Sequence, residues 1–266
     1  MPRYAAIIEY HGARYAGWQR QSHTLAVQSV VEQVFSKIAD APIETFCAGR
    51  TDAGVHATHQ IVHFDSPVTR PDRAWLLGGN SQLPADIAVR WAGRVSEEFH
   101  ARFSARARTY RYVIRNSPGR SAIAAAGVTC IADPLDLELM QQAAQYFLGE
   151  QDFSSVRAAG CGSLTAWRNI HHLQLHRYGD YIVLEITANA FLHHMVRNIV
   201  AVLCAVGRGE QTVPWVGELL HARDRQLAPA TAAPDGLYLV AVKYPARFQI
   251  PVLSPGPLWL PDRLSQ

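Results

Sequence analysis

The stretch with the clearest chemical potential surrounds one aspartate. Residues 49–57 read Gly-Arg-Thr-Asp-Ala-Gly-Val-His-Ala, which places the carboxylate of Asp52 two residues after the guanidinium of Arg50. Gly49 and Gly54 can adopt positive φ, and they bring no side chain that would obstruct a bulky ligand. Asp52 is therefore a candidate nucleophile, held where a large substrate can reach it. The alternative is a structural turn in which Asp52 hydrogen-bonds its own backbone.

Short apolar runs predict the elements that anchor this loop. The runs from Ile43 to Cys47 and from His59 to Phe64 are typical of strands on either side of it. Arg3 to Tyr10 predicts a buried strand near the start of the chain. A helix is expected to begin at Thr24, which can cap it, because apolar residues then recur at spacings of three and four up to Ile38.

The remaining elements complete a mixed pattern of strands and helices. Pro71 opens a helix to about Ser81, and Asp136 is expected to cap another that ends before Gly149. Strands are predicted at Ile87–Val95, Ala107–Arg115, Trp167–His176, Tyr181–Ala188 and Leu237–Tyr244, and further helices at Leu192–Val206 and Trp215–Ala222. Such a mixture, with a hairpin around residues 178–180, predicts the α+β class with mixed, mainly antiparallel sheets faced by helices.

Composition excludes several classes of protein. The 266 residues are 48% hydrophobic, yet no uncharged apolar run reaches the 18 residues that predict a membrane span. The chain enters a strand directly after Met1, without a basic and apolar leader, so we expect a cytoplasmic protein. Cysteines 47, 130, 161 and 204 form no C-x-x-C pair, which predicts buried reduced thiols.

The distribution of positive charge says more than its total. The net charge is only +3, and just two of the 25 basic residues, Lys37 and Lys243, are lysine. Seven arginines fall between Arg94 and Arg120, against two acids, Glu97 and Glu98. Arginine binds phosphate with two hydrogen bonds and stacks on bases, so the cluster favours an RNA partner. A coding preference for arginine would explain the low lysine content but not the clustering.

Neither a cofactor nor a metal is predicted. Residues 49–54 lack the Gly-Lys-Ser/Thr ending of a phosphate-binding loop, and no G-x-G-x-x-G is present. His56, His59 and His63 follow Asp52, and the last two share a strand face that could hold a metal ion. We expect structural or surface histidines instead, because no acid-rich or Cys/His cluster accompanies them.

Five motifs in a fixed order resemble the tRNA pseudouridine synthase A family. The resemblance extends from about Tyr4 to about Tyr244, nearly the whole chain. The motifs are residues 17–21 (Gly-Trp-Gln-Arg-Gln), 49–57, 99–106 (Phe-His-Ala-Arg-Phe-Ser-Ala-Arg) with 109–112 (Thr-Tyr-Arg-Tyr), 190–198 (Ala-Phe-Leu-His-His-Met-Val-Arg-Asn) and 236–239 (Gly-Leu-Tyr-Leu).

The resemblance implies a fold and an activity. It implies two α/β domains, residues 1–104 and 105–266, related by a pseudo-twofold, with the active cleft between them. The activity would be a cofactor-free isomerisation of uridine to pseudouridine at positions 38, 39 and 40 in the anticodon stem-loop of tRNA. The family works as a homodimer. Two rival functions are a catalytically silent RNA-binding protein and a metal-dependent hydrolase based on the histidines.

The resemblance also implies roles for four residues. Asp52 would act at C1′ of a flipped-out nucleotide, either as a covalent nucleophile or by a route through a glycal, and this choice stays open. Tyr110 would pack against the target base, Arg50 would contact RNA, and Arg197 would pair with the aspartate. Taken alone, Tyr110 is also compatible with a half-buried strand tyrosine, and Arg197 with a solvated helical arginine.

Overall fold

The computed structural model describes residues 1–119, 121–257 and 259–260. These residues form two compact units, Met1–Arg106 together with the segment that starts at Tyr238, and Ala107–Leu237. No helix in the described ranges has both the length and the apolar character needed to cross a membrane.

Ten strands and five α-helices are present in the described part of the chain. The strands are β1 (Arg3–Tyr10), β2 (Phe46–Cys47), β3 (His56–Asp65), β4 (Ile87–Val95), β5 (Ala107–Asn116), β6 (Thr129–Ile131), β7 (Gly149–Asp152), β8 (Trp167–Tyr178), β9 (Tyr181–Ala188) and β10 (Leu237–Lys243). The helices are α1 (Val27–Ala39), α2 (Asp72–Gln82), α3 (Leu137–Ala144), α4 (Met195–Gly207) and α5 (Trp215–Ala222).

The first unit is built on an antiparallel core of three strands. β1 pairs with β3 on one side and β4 on the other, both antiparallel, while β10 joins β3 in parallel and β2 pairs with β3. Four rings form the centre of one hydrophobic cluster, with centroids 4.8–5.7 Å apart: Tyr4, Phe35, Phe64 and Trp75. Because strands and both helices contribute rings, the cluster ties α1 and α2 to the strands.

The second unit repeats the mixture with a different layout. β5 pairs with β9, β9 with β8, and β8 with β7, all antiparallel, while the short β6 runs parallel to β5. In α4 every residue except Arg197 is buried, so this helix is surrounded by protein on all sides. The fold class, α+β with mainly antiparallel strands, is therefore confirmed. The pseudo-twofold and the domain division at residue 104 stay predictions.

Two predicted boundaries around the loop are wrong. The helix predicted from Thr24 begins at Val27, and its N-cap, Ala26, makes no side-chain hydrogen bond. The first backbone N–H groups instead donate to the carbonyls of Gly17 and Trp18, at 3.2 and 3.0 Å, so no capping side chain is needed. The strand predicted from Ile43 is reduced to the two residues of β2.

The second unit contains confirmed and corrected elements. Asp136 caps α3 as predicted, because its carboxylate accepts a 3.0 Å hydrogen bond from the backbone N–H of Leu139. The helix predicted from Leu192 begins at Met195, and His194 precedes it with φ of 58°. The short strands β6 and β7 were not predicted, because three or four residues are too few for a periodic pattern.

The cysteines differ from the prediction as well. Cys204 is buried, whereas Cys47 and Cys161 are half-buried and Cys130 is exposed. All four are reduced. Cys130 lies on the short β6, which the sequence pattern did not reveal, so its exposure could not be inferred.

Candidate active site

Asp52 lies on a turn in the loop of residues 48–55 that connects β2 to β3. The backbone N–H of Val55 donates to the carbonyl of Asp52 at 3.1 Å, and Gly54 takes φ of 78°, which closes a tight turn. The side chain of Asp52 is half-buried and that of Arg50 is exposed. Backbone groups therefore close the turn, and Asp52 is partly exposed within it.

A second loop, residues 15–18, is hydrogen-bonded to the turn that carries Asp52. The backbone N–H of Trp18 donates to the carbonyl of Thr51 at 3.0 Å, and that of Gly54 donates to the carbonyl of Tyr15 at 3.3 Å. Gly17 has φ of +91°, and a Cβ on it would lie 2.6 Å from the carbonyl oxygen of Thr51. Only glycine permits this approach, so the Gly17 motif positions the Asp52 turn.

Side chains from β1 and β3 hold the remaining part of the loop. The buried amide of Gln60 donates to the carbonyl of Gly49 at 2.5 Å and accepts from its N–H at 3.4 Å. The hydroxyl of Tyr10 lies 2.7 Å from that of Thr51, and both groups are buried. Sequence reasoning missed these supports, although a glutamine within the otherwise apolar run of β3 was a signal.

A buried polar network fixes the segment that enters β2. The carboxylate of Glu32, 6% exposed, accepts from the backbone N–H of Thr45 at 2.8 Å and from the amide of Gln28 at 2.9 Å. Arg20 completes the network with a 2.5 Å ion pair to Glu32. The Gly17–Gln21 motif thus contributes a charge that neutralises a buried carboxylate, as burial of that group requires.

The three histidines of β3 are buried, and two of them accept backbone hydrogen bonds. The backbone N–H of Gly12 donates to Nδ1 of His56 at 2.9 Å, and that of Ala101 donates to Nδ1 of His63 at 3.2 Å. Burial lowers the pKa of His59 and His63 to about 4. In the described part of the chain, His56, His59 and His63 do not bring their ligand atoms together within 4.8 Å.

Tyr110 lies in the middle of β5 in the second unit and is 8% exposed. Its ring meets that of Phe191 edge to face, with the centroids 5.0 Å apart. Phe191 belongs to the segment that leads into α4. The contact therefore links two of the sequence motifs and fixes the orientation of the tyrosine ring.

Arg197 is half-buried on the first turn of α4 and is held by the chain that follows α5. Its Nε donates to the carbonyl of Ala232 at 2.7 Å. The neighbouring Asn198, fully buried, donates to the carbonyl of Val156 at 2.8 Å and accepts from Thr231 at 2.7 Å. These bonds order the start of α4, and Arg197 is the one residue of the helix that is not buried.

The arginine cluster separates into structural and exposed members. Arg111 is 1% exposed and pairs with Glu185 at 2.8 Å, and Arg115 pairs with Asp180 at 3.2 Å. Arg94, Arg102 and Arg106 are exposed. Arg120 lies outside the described residues. The sequence cluster therefore overstates the number of arginines that can meet RNA, because a buried guanidinium already satisfied by a carboxylate is not accessible.

Comparison with known proteins decides the family. A sequence model described as tRNA pseudouridine synthase matches residues 6–104 and 143–245. The chain belongs to the tRNA pseudouridine synthase family. Asp52, Arg50 and Arg197 lie within the matched ranges, and Tyr110 lies between them.

Relatives within this family match along nearly their whole length. The tRNA pseudouridine synthase A of Actinobacillus succinogenes is 58% identical over 97% of both chains. That of Idiomarina loihiensis is 58% identical over 98% of this chain and all of its own, and that of Vibrio cholerae 56% identical over 99% and 100%. A solved Cbf5-Nop10-Gar1 complex gives a TM-score of 0.37 at 9% sequence identity, covering 89% of this chain and 49% of that one. This similarity is too low to indicate a shared property.

Family membership confirms the resemblance and the enzyme class, a pseudouridine-forming isomerase. The roles of Asp52, Tyr110, Arg50 and Arg197 stay predictions at this point. The structure shows that hydrogen bonds hold the Asp52 loop to three other segments, those containing Tyr10, Trp18 and Gln60.

Proposed function

We propose that this protein isomerises uridine to pseudouridine at positions 38, 39 and 40 in the anticodon stem-loop of tRNA, with Asp52 acting at C1′ of a flipped-out nucleotide. The observation that supports the proposal most strongly is the partly exposed carboxylate of Asp52 on a loop braced by Gly17, Gln60 and Tyr10 in a member of this family. A nucleotide buried in a duplex cannot be reached by such a group, so the target must leave its stack.

The reaction rearranges one nucleotide and consumes nothing. The bond from C1′ to N1 breaks, the base turns, a bond from C1′ to C5 forms, and the proton of C5 leaves while N1 gains one. The carboxylate of Asp52 stabilises the electron-poor C1′. Since no electrons or groups are exchanged with a donor, no cofactor is proposed. The bracing of the loop serves the reaction, because a carboxylate held in place loses no orientational freedom when the sugar arrives.

The other three residues are proposed to act on the same nucleotide and its surroundings. Tyr110 packs against the extruded base, since an aromatic ring offers a face for stacking. Arg50, exposed on the same loop as Asp52, contacts RNA phosphate. Arg197 pairs with the carboxylate of Asp52, since a guanidinium can donate two hydrogen bonds to one carboxylate.

The working form is proposed to be a homodimer in the cytoplasm. The family resemblance implies the dimer, and the tRNA substrate implies the compartment. Light scattering of the purified protein measures the mass directly. A monomer at concentrations that support full activity would contradict the dimer without affecting the proposed reaction.

Release of tritium from C5 tests the reaction itself. Unmodified tRNA carrying tritium at uridine C5 is incubated with the wild type, with Asp52→Asn and with Asp40→Asn. Asp40 is an exposed residue in the left-handed conformation at the end of α1, which asparagine also tolerates, so it is a matched control. We expect release by the wild type and by Asp40→Asn, and a loss of roughly 10³-fold or more in Asp52→Asn.

Two results would contradict the proposal. Equal release by Asp52→Asn and the wild type would exclude Asp52 as the catalytic group. Binding of tRNA without any release by the wild type would favour the catalytically silent RNA-binding protein. A tRNA with cytidine at positions 38, 39 and 40 maps the site, and we expect no release above background from it if only these positions react.

A further inference from the structure

Three rings form a continuous surface on the first unit, which we call the aromatic ridge and define as Phe46, His100 and Phe103. The centroids of Phe46 and His100 lie 5.9 Å apart, and those of His100 and Phe103 lie 4.3 Å apart with an interplanar angle of 34°. The buried ring of His63 lies beneath, 5.1 Å from Phe46 and 4.5 Å from His100. The ridge is therefore supported from below by the sheet.

The outer rings of the ridge are unusually exposed for phenylalanine. The side chain of Phe103 is 76% exposed and that of Phe46 is 45% exposed. Phenylalanine has no polar group to hydrate, so leaving two such rings in water forgoes the stabilisation that their burial would provide. Single exposed apolar residues are ordinary, but two exposed phenylalanine rings joined by the ring of His100 form a larger apolar surface, which indicates binding.

The segment that carries Phe103 is ordered by hydrogen bonds. The backbone N–H of Ser104 donates to the carbonyl of His100 at 2.9 Å, and the N–H of His100 donates to the hydroxyl oxygen of Ser104 at 3.0 Å. Nδ1 of His100 accepts from the N–H groups of Arg102 and Phe103, at 3.1 and 3.2 Å. Tyr244 donates to the carbonyl of Ala101 at 2.6 Å. Phe103 is thus presented by a fixed turn.

One arginine side chain lies over a ring of the ridge. The guanidinium carbon of Arg102 lies 5.6 Å from the centroid of the Phe103 ring. Phe46 is the first residue of β2, and the loop that carries Arg50 and Asp52 follows β2 directly. The ridge therefore adjoins the start of the loop that carries Asp52.

We propose that the aromatic ridge binds an unpaired base of the RNA substrate other than the nucleotide that reacts, with Arg102 contacting the adjoining phosphate. This inference rests on the proposed action on tRNA. Every base has a π-face, so stacking on Phe103 or Phe46 holds a loop nucleotide, and an adjacent guanidinium matches its phosphate. A protein partner is the less suitable occupant, because a histidine separates the two phenylalanines and the guanidinium of Arg102 lies over the Phe103 ring.

The test compares three substitutions at one position. Phe103→Trp keeps an aromatic face, Phe103→Leu keeps apolar character without one, and Phe103→Ala removes both. Trp167→Leu, at a half-exposed aromatic residue of the second unit, is the control. Affinity for unmodified tRNA is measured in an Asp52→Asn background, where no turnover is expected, and tritium release is measured with Asp52 intact.

We expect Phe103→Leu and Phe103→Ala to bind tRNA about tenfold more weakly, and Phe103→Trp and Trp167→Leu to bind as the parent does. The loss should appear in KM with kcat little changed, since the reacting nucleotide is a different one. Arg102→Ala should lower the slope of log affinity against log salt by about one, because one phosphate contact is lost.

The outcomes separate the ridge from the proposed reaction. Equal binding by Phe103→Leu, Phe103→Ala and the parent, with normal tritium release, would overturn the ridge and leave the reaction intact. A smaller mass by light scattering in Phe103→Ala, restored in Phe103→Leu, would assign the surface to a protein interface and also overturn it. No tritium release by the wild type would contradict the proposed function itself.

Discussion

At the scale of single residues, the position of Asp52 is decided by a backbone contact. Gly17 sits against the peptide of Thr51 and Asp52, and its φ of +91° belongs to the region that glycine tolerates best. The backbone of the turn sets the position of the Asp52 side chain. Two hydrogen bonds fix that backbone to the 15–18 loop: the carbonyl of Thr51 accepts from Trp18, and the N–H of Gly54 donates to Tyr15. A glycine in one motif therefore sets the geometry of an acid in another.

Gly17→Ala should reduce activity more than its effect on stability explains. The added Cβ would lie 2.6 Å from the carbonyl oxygen of Thr51 and 3.0 Å from the carbonyl carbon of Asp52, so the turn must move. Gly149→Ala is the matched control, because Gly149 has φ of +87° but nothing within 4 Å of the added atom.

Urea unfolding and tritium release measure the two effects. We expect Gly149→Ala to lose about 1–2 kcal/mol of unfolding free energy with normal kcat, the cost of the left-handed conformation alone. Gly17→Ala should lose more, and its kcat should fall at least tenfold, since a displacement of about 1 Å can be this costly. Normal kcat in folded Gly17→Ala would show that the contact does not position the acid.

At the scale of elements, the helices begin in two different ways. α3 is capped by its own side chain, Asp136, whereas α1 has no side-chain cap and donates its first N–H groups to the carbonyls of Gly17 and Trp18. The start of α1 is therefore coupled to the loop that supports Asp52. The start of α3 depends on one residue and can be altered separately.

Asp136→Ala should destabilise the protein by about 1 kcal/mol without changing kcat, because the substitution leaves the N–H of Leu139 without its side-chain acceptor. Asp136→Asn keeps an acceptor and should recover most of the loss. Thermal or urea unfolding of the three proteins provides the measurement. A variant Asp136→Ala as stable as the wild type would mean that water replaces the cap at no cost.

At the scale of the whole molecule, stability should depend on buried neutral histidines. Burial lowers the pKa of His59 and His63 to about 4, against about 6.5 in an unfolded chain. Between these two values the unfolded chain binds more protons than the folded one. The unfolding free energy contributed by these residues is therefore complete above about pH 6.5 and is lost progressively as the pH falls towards 4.

We expect the unfolding free energy to fall between pH 7 and pH 4.5, by at most about 1.4 kcal/mol per pH unit for each histidine. His63→Asn keeps an acceptor near the N–H of Ala101 but cannot take up a proton, so it should weaken the dependence. His221→Asn, at an exposed histidine, should leave it unchanged. Urea unfolding at several pH values measures how the unfolding free energy depends on pH. The same dependence in His63→Asn and the wild type would refute a contribution from His63.

Local patterns predicted the parts of this molecule that depend on one segment. The bounds of β1, β4, β9 and α5 agree with the sequence prediction, and the cap of α3 was found as well. Each of these elements carries its own signal, an apolar period or a capping residue, within about a dozen residues. The ordered motifs likewise identified the family, because each is a short string of residue types.

Only the tertiary structure decided features that join distant segments. The bracing of the Asp52 loop by Tyr10, Gly17 and Gln60, the burial of Arg111 against Glu185, and the placement of Phe46 beside His100 all pair residues at least eleven positions apart. A sequence period reports which side of an element is apolar, but it does not report which other segment will face it. A hydrogen bond, an ion pair or a ring contact forms only when both partners are close in space. For residues far apart in the chain, the folded structure alone determines which partners meet.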